Sequence, residues 1–472
     1  MSEAASVAVL DVGKTNVKLS AVTPGGEVAE TVSVGNPVLP GPPWRHHDLR
    51  ELNAWVLESL AALGRRHPLE RFIATGHGSG GMLVGADSEA GGDGLALPMI
   101  DYEQPVPPGL DEAYGPLSGG FVDRGSATMA GATHQARQLL WMEREFPKEV
   151  AGARWHLGIP QYWAWRLSGR AVSEASILGA QSHLWNVPER CWAPIVAARG
   201  WDRLLPPLAG AWEELGLVRA GLARRHGLPE GLRVHAGAHD STANAYRYQA
   251  AGRGDLLVLS TGTWIVGLAG EVPLERLDER AGMTLNADVE GRPVGGALAM
   301  GGRAFAALAG ERDGQAADPA VLAALVMRGT MALPTFGEQA GQFPGTAGQG
   351  RILGPPPEGP AERLALALLH VALLTLTVIE RLDPERPVVL DGTYLREPLY
   401  PALVAALRPG RETWVGDEPY GIAAGAALLT GHAARRAPAP VPLRPARPAE
   451  VPGLLPYARR WAELAASERT VS

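Results

Sequence analysis

A strand, a short polar turn and a second strand occur twice in this chain, half its length apart, and that repetition limits the fold more than any other feature. The first copy spans 7–19. Val7, Ala8, Val9 and Leu10 form an aliphatic, β-branched run suited to a buried strand. Asp11 to Asn16 make a polar turn with one glycine; Val17, Leu19 and Ala21 then alternate with Lys18 and Ser20, as in a strand with one wet face. The second copy spans 256–268. At a shift of 249 it repeats Val9, Leu10, Gly13, Val17 and Leu19 as Val258, Leu259, Gly262, Val266 and Leu268, five identities in eleven positions. A duplicated domain is the expectation. Two such hairpins facing one another would hold one polyphosphate from both sides.

The two turns differ in chemistry. The first offers backbone N–H groups, Lys14, Lys18, two side-chain oxygens and the Asp11 carboxylate, which suits a magnesium-bound polyphosphate. The second offers hydroxyls and N–H groups. Of 43 basic residues only three are lysine, Lys14, Lys18 and Lys148, so two of the three flexible point charges sit in this one hairpin. The same residues also fit a solvated hairpin with an ordinary charged turn. A P-loop is excluded by spacing, because Gly13-Lys14-Thr15 would need a glycine where Ala8 stands, and a helix should follow.

At 472 residues the chain has room for two or three domains with sizeable cores. A net charge of −7 with scattered arginines argues against a nucleic-acid binder. A single cysteine, Cys191, excludes an intrachain disulfide and a cysteine metal cluster, and points to a reducing cytoplasm. No basic region followed by an apolar stretch marks a signal peptide. The apolar run 364–379 is interrupted by His370 and two threonines and falls short of the roughly 20 residues a membrane span needs. It reads as a buried helix.

Between the hairpins the periodicity predicts a helix over 49–67, a strand over 71–75 ending in Gly76-His77-Gly78-Ser79, and a strand over 97–100 ending in Asp101-Tyr102. Polar groups at strand ends commonly face a ligand crevice, and they equally serve as turn residues. Ser79 has Gly81 behind it but His77 in front, which makes a poor hydrolase elbow. A helix over 132–146 carries Gln138 and Trp141, and the aromatics Tyr162, Trp163 and Trp165 read as core. The stretch 206–227 reads as loop then helix, followed by a strand over 232–236. Asp240 follows in Gly237-Ala238-His239-Asp240-Ser241-Thr242, between a strand end and a small-residue helix start. Local evidence fits an N-cap carboxylate or a general base facing a cleft. Later come a long helix over 364–380, a strand over 387–390 ending in Asp391-Gly392-Thr393, and a small-residue helix after Tyr420-Gly421 suited to lie beneath a flat ligand. Seven prolines in 437–456 read as a surface connector before a terminal helix.

With these pieces in order, the chain resembles the FGGY family of carbohydrate kinases over about residues 7–465, nearest to the L-fuculose and L-rhamnulose type. The opening Asp11-x-Gly13-x-Thr15, the later Ser260-Thr261-Gly262-Thr263-Trp264, and the segment around Asp240 carry the likeness. It implies two actin-like (ribonuclease H-like) α/β domains with a central cleft: 1–235 on the sugar side and 236–472 on the ATP side. It implies ATP and Mg2+ as cofactors, phosphorylation of a terminal hydroxyl of a ketose, and Asp240 as general base. By motif, Asp11 and Asp240 would hold the metal. Gly13, Lys14, Thr15 and Lys18 would face the phosphates from one side; Ser260, Thr261, Gly262 and Thr263 would face them from the other. Gly392, Thr393 and Gly421 would meet the nucleotide, and His77, Asp101, Tyr102, Gln138 and His239 the sugar. Two departures stand out: one glycine at Gly392 where the family has a pair, and Gln138 where many members have lysine. A small-molecule sugar is the expected partner, with no nucleic acid or membrane, and a homodimer is a possible assembly. Alternatives are a xylulose, ribulose or other polyol kinase, an actin-like ATP-binding protein without sugar chemistry, or a hydrolase at Ser79.

Overall fold

The computed structural model describes residues 4–88, 92–310 and 316–467. The chain forms two compact units. The first comprises 1–253, 285–293 and 420–440, and the second 254–284, 294–419 and 441–472. The division at 253/254 lies beyond the expected boundary after 235. Strand Ala238–His239 pairs with Thr75 and Gly76, which ties the segment carrying Asp240 to the first unit.

The first unit is built on a sheet in the order Glu214–Leu217, Arg233–His235, Arg71–Gly76, Val7–Val12, Asn16–Val22, Val28–Gly35. Val7–Val12 runs antiparallel to Asn16–Val22, which is antiparallel to Val28–Gly35; on its other side it is parallel to Arg71–Gly76. Period-2 alternation gives the sheet two buried faces. Ala8, Leu10 and Val12 pack with helices Leu49–Gly64 and Ile159–Ser168, where Trp163 and Trp165 are core as expected. Val7, Val9 and Ile73 pack on the opposite side with helices Asp240–Ala250 and Gly421–Leu429. The small residues of the latter have a structural use: a Cβ on Gly421 would meet Asn244 Oδ1 at 2.2 Å, and one on Gly425 would meet the Ala243 carbonyl at 1.8 Å. What lies against them is the helix Asp240–Ala250.

The second unit repeats the plan. Within this unit its sheet runs 294–299, Ile265–Gly270, Leu257–Thr261, Val388–Gly392, Thr413–Gly416, Leu443–Pro445. Leu257–Thr261 is antiparallel to Ile265–Gly270, which is antiparallel to Pro293–Ala299; on its other side it is parallel to Val388–Gly392. An antiparallel triple with two parallel strands added beyond its first member thus occurs in both units, as a pair of actin-like α/β folds requires. The turns differ in size. Gly13 donates to Asn16 O (3.1 Å), whereas Gly262 donates to Trp264 O (2.9 Å), so the second turn is one residue shorter. The counterpart of buried Val17 is therefore Ile265, not Val266 as the ungapped match suggests. Helix Gly359–Leu382 is long and apolar enough to cross a membrane, but 78% of its most apolar stretch is buried inside the protein.

Two expected elements differ. Residues 97–100 form no strand, only a single bridge between His46 and Ile100, because Pro98 has no N–H and its carbonyl is taken by Trp44 Nε1 (2.9 Å). Within 206–227, Glu214–Leu217 is an edge strand of the first sheet.

Candidate active site

The face alternation that buries Val7 and Val9 against helix Asp240–Ala250 also sets the direction of Asp11, two residues on. Thr75, two residues beyond Ile73 on the neighbouring strand, donates its hydroxyl to Asp11 Oδ1 (3.3 Å). Asp11 keeps a partly exposed face, yet its pKa is pushed up to about 6, first by burial and then by the negative charge of Asp240; Lys18 and Thr75 oppose the shift. Two carboxylates therefore lie within electrostatic reach of one another.

Asp240 is brought there by a broken strand. The chain pairs through Arg233–His235, turns at Gly237, and pairs again through Ala238–His239. Gly237 has φ +84°, and a Cβ there would lie 2.3 Å from the Ala74 carbonyl, so the turn requires glycine. The two carbonyls freed by the break, Ala236 and Gly237, accept from the buried Gln161 amide at 3.2 and 3.1 Å. His239, not Asp240, is the N-cap of the helix, and Asp240 is its first residue. Asp240 Oδ1 accepts from Ser241 N and Oγ (3.1 Å for the hydroxyl) and lies 3.2 Å from His239 Nε2. Oδ2 has no hydrogen-bond partner among the described residues. One oxygen is pinned and the other is available, which suits a proton acceptor better than a cap.

Around Asp240 the sugar candidates divide into two groups. His77 has both ring nitrogens buried without a hydrogen-bond partner among the described residues. Its pKa is lowered to about 4, chiefly by burial, with Asp240 opposing. A neutral imidazole with unmet donor and acceptor capacity is what a polyol hydroxyl would satisfy. Its ring meets the Tyr102 ring edge-on at 5.1 Å. Tyr102 is pushed up to about 12 by burial and by Glu103, Asp101 and Asp240, so it stays a phenol. His239 is held below its ordinary pKa by burial, with Nδ1 3.2 Å from the Thr242 hydroxyl. Asp101 and Gln138 are different. The fully buried Asp101 carboxylate pairs with Lys14 through Oδ1 and with Arg45 at 2.8 Å through Oδ2. Gln138 gives its amide to the Ser79 and Ala132 carbonyls at 2.7 and 2.6 Å. Asp101 braces loops with the group expected for sugar, whereas Gln138 does so with its amide nitrogen alone and keeps a buried Oε1 without a hydrogen-bond partner among the described residues.

Lys14 links the hairpin turn to this region. Its ammonium pairs with Asp101, lies 3.7 Å from Glu103 and sits 5.0 Å from the Tyr102 ring centre. Asn36 braces the same turn, donating its side chain to Gly13 O (2.9 Å) and its backbone N–H to Thr15 O (2.8 Å). Thr15 is exposed on the turn and Lys18 on the strand Asn16–Val22 that follows it. The two carboxylates fit Mg2+, which binds through one or two carboxylates plus phosphate oxygens and water; no cluster of three ligating side chains occurs among the described residues. A stability effect follows. At pH 7 the Asp11 carboxylate is held ionised although the fold raises its pKa. D11N should then stabilise the nucleotide-free protein by about 1–2 kcal/mol at pH 7, a gain that vanishes below about pH 4, where Asp11 is protonated folded or unfolded. Urea titrations at the two pH values check it; equal gains at both would contradict it.

In the second unit, Thr261, Gly392 and Thr393 come together. Gly392 has φ +96°, and a Cβ there would sit 2.1 Å from Thr261 O. Thr393 Oγ1 donates to Thr261 O (3.2 Å), and Thr261 Oγ1 donates to Asp391 O (2.6 Å). Helix Gly301–Ala309 begins against the turn, with Gly302 N donating to Thr263 O (3.0 Å). A Cβ on Gly302 would meet Gly262 O at 2.7 Å. Side-chain-free backbone beside a helix N-terminus suits phosphate oxygens. Nothing local in the sequence marks the Gly301-Gly302 pair as a partner of the 262–263 turn.

The FGGY N-terminal domain model of carbohydrate kinases matches residues 121–246, and the FGGY C-terminal domain model matches 253–439. L-fuculokinase of Salmonella typhi is 27% identical over 304 residues, and that of Escherichia coli strain K12 is 26% identical over 301. The chain spans 60% of the length of these curated relatives. A carbohydrate kinase from Novosphingobium aromaticivorans superposes with a TM-score of 0.86 at 28% identity, covering 99% of each chain. A ligand-bound xylulose kinase from Lactobacillus acidophilus superposes at 0.80 over 98% of each chain but at 15% identity, a likeness of fold alone. Two family models matched in order across more than half the chain, on two units of one plan, place this protein in the FGGY family of carbohydrate kinases.

Proposed function

We propose that the chain is an ATP-dependent carbohydrate kinase that phosphorylates a terminal hydroxyl of a ketose of the L-fuculose or L-rhamnulose type, with Asp240 as general base. One observation carries this reading: among the described residues Asp240 Oδ2 and both His77 ring nitrogens have no hydrogen-bond partner, while Asp240 Oδ1 is pinned. The L-fuculokinase relatives support the sugar class.

In the transfer, the sugar O–H bond breaks and its proton goes to Asp240 Oδ2. The oxygen bonds to the γ-phosphorus as the bond to the β-phosphate oxygen breaks, and ADP leaves. His77 and Tyr102, both neutral at pH 7, supply hydrogen-bonding groups that orient the polyol. In the first unit Gly13, Lys14, Thr15 and Lys18 are groups suited to phosphate; in the second, taken by itself, Ser260, Thr261, Gly262, Thr263, Gly392 and Thr393 are. Asp11 and Asp240 would hold Mg2+, whose charge, when it is bound, neutralises the phosphate oxygens. Positioning and charge neutralisation supply most of the rate in such a transfer. A cytoplasmic setting accords with the single, exposed Cys191.

A coupled ADP-release assay across L-fuculose, L-rhamnulose, D-xylulose, D-ribulose, glycerol and gluconate tests the reading. L-fuculose or L-rhamnulose should give the highest kcat/KM. A preference for D-xylulose or D-ribulose would replace the sugar class, and ATP turnover indifferent to every acceptor would remove the kinase reading.

A further inference from the structure

Glu174 and Ser176 take no part in the chemistry above, yet they end on the residue before the base. Both are buried, at 1% and 0% exposure. Glu174 caps the short helix Ala175–Leu178, accepting from Ser176 N (2.9 Å) and Ile177 N (3.0 Å). It also accepts the Ser176 hydroxyl proton at 2.7 Å. A serine hydroxyl has one proton and two lone pairs, so committing the proton leaves a lone pair to receive. That lone pair takes the backbone N–H of His239 at 3.0 Å. This N–H belongs to the N-cap of helix Asp240–Ala250, where helices leave donors without intrahelical partners. Capping normally comes from the helix's own first residues, and Asp240 does not provide it, because its carboxylate is turned to Ser241 and His239.

We propose that Ser176, held in one orientation by Glu174, is a positioning residue for the base, fixing the backbone from which the Asp240 carboxylate projects. The proposal rests on Asp240 being the base. The route runs Glu174 carboxylate, Ser176 hydroxyl, His239 amide, Asp240, entirely within the first unit. Gly237 and Gln161 fix the strand side of the same turn, so Ser176 supplies the matching restraint on the helix side.

The test compares S176A, S176T, E174Q, D240N and the S176A/D240N double variant in the full-length protein. Each is assayed for kcat and KM with ATP and the best acceptor of the panel, or with water if no sugar is used, alongside Tm. Misplacing a catalytic group by about 1 Å costs on the order of a hundredfold. S176A should lower kcat by about ten- to a hundredfold with both KM values within about threefold, and S176T should recover much of the loss. E174Q should shift kcat in the same direction, which keeps the test open if S176A fails to fold. In the D240N background, S176A should cost nothing further, since there is no base left to position. If D240N reduces kcat but S176A and E174Q leave it within about twofold, or lower Tm alone, positioning is overturned and the base stands. If S176A costs the same factor with and without Asp240, the same conclusion follows. If D240N itself leaves kcat unchanged, the base reading falls first and takes this proposal with it.

Discussion

D240N lowers kcat by about a thousandfold or more while ATP affinity stays within about threefold: that is the expected outcome if Asp240 takes the proton. Asparagine keeps the volume and retains an oxygen for Ser241, so the helix start is preserved. What it loses is a basic oxygen where Oδ2 stands. A capping or purely structural carboxylate would give the opposite split, with lowered stability and near-normal kcat. The size of the effect also discriminates. General-base contributions run to about 10²–10⁴-fold, whereas a lost cap is worth about 1 kcal/mol of stability and nothing on the chemical step. The variant should bind ATP by calorimetry much as the parent does.

G237A is expected to have the largest effect on folding. Its Cβ would meet Ala74 O at 2.3 Å and Pro160 Cβ at 2.8 Å, with backbone that L side chains rarely adopt. A left-handed non-glycine residue costs about 1–2 kcal/mol before any clash, and the backbone carbonyl cannot yield without breaking the parallel pairing at Thr75. A loss of at least about 3 kcal/mol follows, hence a Tm lower by more than about 6 °C or no soluble protein. Gly221, in helix Ala220–His226, is the control: an added Cβ meets nothing within 4 Å there, and G221A should be neutral or slightly stabilising. Equal Tm values for the two variants would show that the turn at Gly237 does not carry the load assigned to it.

What the sequence disclosed and what it hid divide along a physical line. Local patterns disclosed the hairpins, the buried helix Gly359–Leu382 and the Asp240 segment, because alternation, glycine placement and apolar runs are properties of neighbouring residues. The duplication was visible too, but its register was not. A turn shortened by one residue moves the buried set from Val266 to Ile265, and only the hydrogen bonds of Gly13 and Gly262 reveal it. Partnerships across long separations left no local trace. Nothing near Lys14 in sequence shows that Asp101, 87 residues away, pairs with its ammonium. Nor does anything near Gln138 in sequence show that its amide nitrogen braces Ser79 and Ala132 while Oε1 stays without a partner among the described residues. The Ser176–His239 bond spans 63 residues, and nothing in the residues around Ser176 announces it. Leu97 to Ile100 misled because β-propensity outvoted a proline whose missing N–H decides the matter.

The fate of the γ-phosphoryl group bears most directly on the whole account. Incubating the protein with γ-³²P-labelled ATP, Mg2+ and each ketose of the panel, then separating sugar phosphate from inorganic phosphate, follows the transferred group itself. The account expects label in the sugar, with L-fuculose or L-rhamnulose labelled fastest and D240N leaving the label in ATP. Label appearing only as inorganic phosphate, or reaching the sugar at the same rate with D240N, would contradict it.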